Sequence, residues 1–80
     1  MAKRNVLITG AGSGLGRGLS ICLAQAGHWI IATDIHLESA QETVAQIKLS
    51  GGEAEAHCLD VTSEQDIERF MRDVKPLIAA

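Results

Sequence analysis

Four glycines fall within the seven residues from Gly10 to Gly16, directly after the apolar run Val6-Leu7-Ile8. An apolar pattern of helical spacing follows at once, through Leu15, Leu19, Cys22, Leu23 and Ala26. Glycine at this density places backbone where side chains would obstruct it. A buried strand, a glycine loop and a helix start, in that order, make an anion cradle. The loop brings backbone N–H groups close, and the helix start adds unsatisfied donors and a partial positive charge. Gly10 suits the tight turn off the strand, Gly14 the approach of backbone to phosphate, and Gly16 close packing of the helix on the sheet.

The spacing narrows the kind of cradle. A G-x-G-x-x-G fingerprint counted from Gly10 needs glycine where Leu15 stands, and counted from Gly12 it needs glycine where Arg17 stands. A triphosphatase loop needs Gly-Lys, a pair the sequence lacks. A merely flexible turn is the plain alternative, and the flanking buried strand and amphipathic helix argue against it.

The same alternation continues along the chain. Trp29–Thr33 has the character of a second strand ending at Asp34, and Leu37–Leu49 repeats the helical period through Ala40, Val44 and Ile47 before Gly51-Gly52. Glu53–Asp60 suits a third strand. Ser63 is placed to cap a third helix, with Asp66 three positions on. Ile67, Phe70, Met71 and Val74 give that helix an apolar face, and Pro76 is expected to limit it. Crossovers between parallel strands are right-handed, so the first two helices share one face of the sheet and the third takes the other. Eighty residues suffice for one small domain. A core of this size supplies only about 3–5 kcal/mol without further staples. The open edge of the first strand and the thinly covered face favour self-association, so a homo-oligomer is expected.

Asp34 closes the second strand 24 residues after Gly10. That is close to the interval of about 20 at which an acidic residue meets the ribose of a bound dinucleotide. A carboxylate there accepts from ribose hydroxyls and repels a 2′-phosphate. A solvated turn aspartate is the plainer reading.

The run Thr9–Gly16 has the form T-G-x-x-x-G-x-G and resembles the cofactor loop of the short-chain dehydrogenase/reductase family, with Gly10, Gly14 and Gly16 on its three glycines. The resemblance covers essentially all 80 residues. It implies an α/β, Rossmann-like fold, in which three parallel strands alternating with helices form part of a doubly wound sheet. It also implies cofactor contacts from Gly10, Ser13, Gly14, Leu15, Gly16 and Asp34, and from Asp60 and Val61 at the family's D-V pair beside adenine. Relatives that prefer NADP carry a basic residue just before the second motif glycine or just after the second strand. Ser13 and Ile35 occupy those positions, which points to NAD. Family chemistry is hydride transfer at a small alcohol or carbonyl substrate, with a Y-x-x-x-K pair and an asparagine motif. This chain has no tyrosine, and neither Lys3, Lys48, Lys75 nor Asn5 stands in a matching context. No catalytic residue is therefore expected within it. The reading is the amino-terminal part of a longer enzyme, as the ending in Leu77-Ile78-Ala79-Ala80 suggests, with a stand-alone nucleotide-binding or interaction module as the alternative.

Other features exclude more than they suggest. A net charge of −3 gives no electrostatic case for nucleic acid or an anionic membrane surface. No apolar stretch approaches the roughly 18 residues of a span, and Val6–Ile8 is too short for a signal core, so a cytoplasmic or matrix location is the default. His28, His36 and His57 lack ligand spacing, and no metal is expected. Cys22 and Cys58 are expected as buried thiols, Arg17 as an exposed helix residue and Trp29 as packing.

Overall fold

The structure, a computed structural model, describes residues 3–78, with side chains through Asp73. Its elements are β1 (Asn5–Ile8), α1 (Gly14–Gln25), β2 (Trp29–Asp34), α2 (Leu37–Leu49), β3 (Glu53–Cys58) and α3 (Glu64–Ile78). The strands are all parallel in the order β1-β2-β3, with Asn5 opposite Trp29 and Trp29 opposite Glu53. This is the Rossmann-like α/β order expected. Among the described residues no helix is long and apolar enough to cross a membrane.

The strands carry apolar residues on both faces because both faces are covered, though unequally. Successive strand residues point to opposite sides. Ile30 and Ala32 of β2, with Ile8 and Ala54, meet Ala24 of α1 and Val44 and Ile47 of α2. Ile31 points the other way, where it packs with Leu59 and with Phe70 of α3, and Leu7 lies at the margin. The central strand is the driest element, with Ile30, Ile31, Ala32 and Thr33 fully buried. The α3 face also carries Glu55 and His57. His57 meets the Phe70 ring edge-on at 5.4 Å.

Four details differ from expectation. First, α1 does not bury its large apolar residues. Leu15 is 80% exposed, and Leu19, Cys22 and Ala26 are exposed too. Ser20 and Ala24 are buried instead, with Ile21 and Leu23 partly packed. The inward stripe is Gly16, Ser20 and Ala24, four residues apart, whose small size lets the helix lie close to the loop and sheet. Second, both cysteines are exposed. Cys22 sits on the outer side of α1, and the Cys58 thiol donates to the Ile35 carbonyl at 3.5 Å at the end of β3. Third, only Phe70 of the expected α3 face is buried, since Ile67 is 36% and Met71 41% exposed. Ile31 and Leu59 are too small a platform to cover a wider stripe; the Val74 side chain lies outside the described residues. Fourth, α3 continues through Pro76 to Ile78. A proline there removes one N–H near the helix end and leaves the earlier turns intact.

Two substitutions test this packing. Ile30→Ala should cost about 2–5 kcal/mol, enough to unfold a domain of this size at 25 °C by circular dichroism. Gly18 sits in the middle of α1, and nothing lies within 4 Å of an added Cβ. Gly18→Ala should therefore raise stability by about 0.5–1 kcal/mol in urea titrations.

Candidate functional site

The loop after β1 lies at the carboxyl ends of the strands, where ligands of open α/β sheets bind. Ala11, fully buried, is fixed first: its N–H donates to the Thr33 carbonyl of β2 at 2.9 Å. Thr33 in turn donates its hydroxyl to the Ile8 carbonyl at 2.9 Å. Gly10 and Gly14 take φ of +64° and +55°, left-handed values at which only glycine sits without strain. Nothing lies within 4 Å of a Cβ built on either, so the space above the loop is open.

Two other glycines are required by contact. A Cβ on Gly16 would stand 2.0 Å from the Gly10 carbonyl oxygen. A Cβ on Gly12 would stand 2.4 Å from the Ser39 Cβ and 2.7 Å from Asp34 Oδ2. Gly12 lies outside the three motif glycines, and its importance is visible only once α2 and Asp34 are packed on it.

Ser13 is exposed and holds the N-cap position of α1 in extended conformation, without a side-chain cap. The helical ladder begins with Arg17 N–H donating to Ser13 O at 3.3 Å. The N–H groups of Gly14, Leu15 and Gly16 fall in the first turn, where a helix offers donors no acceptor. They stand at the positive end of the α1 dipole, next to the open space above Gly14.

Asp34 ends β2 beside this loop. Its Oδ2 accepts from Gly12 N–H and its Oδ1 from His36 N–H, both at 2.9 Å. The His36 amide bond and, despite some desolvation, the Gly12 amide bond hold its carboxyl below the usual value near 3.8. A cavity of about 510 Å³ opens alongside, lined by His36, Leu37, Glu38 and Ser39. A hollow of about 320 Å³ between the far ends of α1 and α2 lies at the amino ends of the strands, around Gly27 and Gly52, and is lined by no charged side chain.

Asp60 follows β3, and its neighbour Leu59 donates its N–H to the Asp34 carbonyl at 3.0 Å. Asp60 Oδ1 accepts from the Thr62 hydroxyl at 2.6 Å and its amide at 2.9 Å, which lowers the carboxyl pKa. Its own N–H donates to Asp66 Oδ2 at 2.7 Å. Ser63 caps α3 as expected, accepting from Asp66 N–H at 3.2 Å. The return arm of the box goes to Asp60 rather than to Ser63. Val61 is 55% exposed at this rim. Arg17 differs from expectation: it is half-buried behind the loop, bonded to Thr43 at 2.9 Å and paired with Glu42 at 3.2 Å. Thr43 is fully buried and donates to Ala11 O at 2.7 Å. A hydroxyl beside the buried stripe Ala40, Val44 and Ile47 is the sequence signal for it.

These contacts predict two outcomes. Gly16→Ala should destabilise the chain by about 1–3 kcal/mol, opposite in sign to the same change at Gly18. A carboxyl whose folded pKa lies below its unfolded value stabilises fully above the unfolded value and loses that contribution as pH falls through the folded one. Stability in urea should therefore hold from neutral pH to about pH 5 and decline below about pH 4. Asp34→Asn should flatten part of that acid limb, with Asp60 supplying the rest; an unchanged limb would mean that the Gly12 and His36 bonds contribute nothing.

Known proteins resemble this chain in sequence and in fold. The family model described as short chain dehydrogenase matches residues 4–79. Cyclohexanol dehydrogenase of Acinetobacter sp. (strain SE19) is 42% identical over 62 residues, which are 78% of this chain and 25% of that protein. A 7α-hydroxysteroid dehydrogenase structure complexed with NADH and 7-oxo glycochenodeoxycholic acid superposes with a TM-score of 0.86 at 35% identity, over 92% of this chain and 29% of that one. A metagenomic short-chain oxidoreductase in complex with NADP gives a TM-score of 0.88 at 27% identity, over 92% of this chain and 34% of that one. The chain thus spans about a quarter to a third of the length of these relatives. With its glycine loop, its strand-end aspartates and this match over nearly its whole length, the chain belongs to the short-chain dehydrogenase/reductase family of oxidoreductases.

Proposed function

We propose that this chain is the cofactor-binding part of an NAD-dependent oxidoreductase that acts on a small alcohol or carbonyl compound. The observation that carries the reading is the convergence of three strand ends on one rim. The glycine loop after β1 and Asp34 after β2 are joined there by the Gly12 bond at 2.9 Å. The residues present fit a dinucleotide. Gly10 and Gly14 leave open space above the loop. The first-turn amides of Gly14, Leu15 and Gly16, with Ser13 at the helix cap, would receive the pyrophosphate. Asp34 would accept from the adenosine ribose hydroxyls. Val61 would lie against adenine, and Asp60 would accept from its amino group through Oδ2, since Oδ1 is taken by Thr62.

Charge supports NAD rather than NADP. Asp34 is held ionised, and Glu38 in the first turn of α2 adds a carboxylate near the same rim. Ser13 and Ile35 supply no cation for a 2′-phosphate. A dinucleotide held by these residues would supply hydride transfer to or from an alcohol or carbonyl carbon. The accompanying proton needs a general acid or base. The family's tyrosine is the group for that task, and none occurs among these 80 residues. What this chain supplies is binding and orientation.

Calorimetry on the chain should show NAD bound more tightly than NADP by about tenfold, the size of one or two charge-assisted contacts. Equal or tighter binding of NADP would refute the assignment of Asp34 to the ribose. Asp34→Arg should relax or reverse the preference. A contaminant-free preparation should turn over no alcohol or ketone above background.

A further inference from the structure

One peptide group in the glycine loop is gripped at both ends. The unit between Ala11 and Gly12 is planar and trans, so its C=O and its N–H point in opposite directions. The carbonyl accepts from Thr43 Oγ1 at 2.7 Å, and the N–H donates to Asp34 Oδ2 at 2.9 Å. Neither end is free to turn while both partners stay in place. The Thr43 hydroxyl has a single proton, and what directs it is Arg17. Arg17 Nε can only donate, and it donates to Thr43 Oγ1 at 2.9 Å. That occupies a lone pair and leaves the Thr43 proton for Ala11 O, since its other acceptor, Ser39 O, is farther at 3.3 Å. Arg17 is itself aimed by two more bonds, from Nη2 to Ser39 O at 3.3 Å and to Glu42 Oε2 at 3.2 Å. Thr43 is fully buried, so no solvent competes for its hydroxyl.

We propose that Arg17 and Thr43 are positioning residues that preset the Ala11–Gly12 peptide, and through it the direction of the phosphate-facing amides from Gly14 to Gly16. This rests on the dinucleotide-binding reading. Arg17 follows the last motif glycine and carries a positive charge beside the loop, yet its role is exerted from behind, through Thr43, without touching the ligand. The chain guanidinium, hydroxyl, carbonyl runs from α1 through α2 to the loop. It therefore couples the packing of the two helices to the shape of the anion site.

The test compares wild type with Thr43→Val, Thr43→Ser and Arg17→Gln. Two readouts are taken: calorimetric titration with NAD and with adenosine, and amide exchange at Gly12 by NMR. Thr43→Val keeps the shape and removes the hydroxyl. It should weaken NAD binding by about tenfold, the loss of about one buried hydrogen bond, while adenosine affinity stays within about twofold. Thr43→Ser should restore NAD affinity, and Arg17→Gln should fall between. Gly12 exchange should quicken in Thr43→Val and Arg17→Gln and return to the wild-type rate in Thr43→Ser. Unchanged NAD affinity and Gly12 exchange in a folded variant overturn the proposal, as do parallel losses for NAD and adenosine, which mark general disruption. If Thr43→Val does not fold, Arg17→Gln decides by the same criteria. If wild type binds no NAD while Gly12 exchange responds as described, the dinucleotide reading falls and the positioning role stands.

Discussion

The bond between Gly12 N–H and the Asp34 carboxylate ties the loop of one strand to the end of the next. Its geometry imposes conditions on the neighbourhood. The loop must come within hydrogen-bonding distance of β2, which it does because Ala11 N–H already docks on the Thr33 carbonyl. Residue 12 can then have no side chain, because Asp34 and Ser39 occupy the space a Cβ would need. Ser39 is there because α2 begins just past His36, whose amide holds the second oxygen of the same carboxylate. One side chain thus fixes a loop, the entry to a helix and the charge at the rim.

The closeness of loop and sheet has a consequence for α1. A helix that starts with its backbone against the Gly10 carbonyl can present only small residues inward. Gly16, Ser20 and Ala24 form that contact, and Ser20 returns its hydroxyl to Gly16 O at 2.7 Å. Leu15 and Leu19 are turned outward as a result. Apolar burial, the main stabilising term in most domains, is partly given up here where the start of α1 lies close against the loop. The remaining core is carried by β2 and α2, through Ile30, Val44 and Ile47.

The order of elements was legible from the sequence because most are bounded by residues with a backbone reason to stop or start: the glycine run, Gly51-Gly52 and the Ser63 cap. Asp34 was legible by its interval from the loop. The inward face of α1 was not, since periodicity counts large apolar residues and this contact is made by small ones. For the same reason Cys22, counted with the stripe, lies outside. The partners of Gly12, Arg17 and Thr43 were hidden for a different cause, although a hydroxyl beside the apolar stripe of α2 marks Thr43 itself as unusual. Their roles arise from contacts between residues 22 to 32 positions apart, and a motif of eight residues carries no trace of them.

On the proposed reading, selectivity and architecture share one carboxylate in this fold, and that limits how each can vary. A substitution at Asp34 that admits a 2′-phosphate also releases Gly12 N–H and the entry to α2. The lost acceptor must be replaced if the loop is to keep its shape. A longer cation such as arginine reaches past the Gly12 amide and, having only donors, cannot accept from it. Its electrostatic gain toward a phosphate is therefore opposed by a looser cradle for the pyrophosphate. On that reading, preference between the two dinucleotides would change by a single residue, but full affinity for the new one would require a second acceptor for Gly12. The space beside it is already filled by Ser39, so that acceptor must come from a small polar group on α2 rather than from a larger residue in the loop.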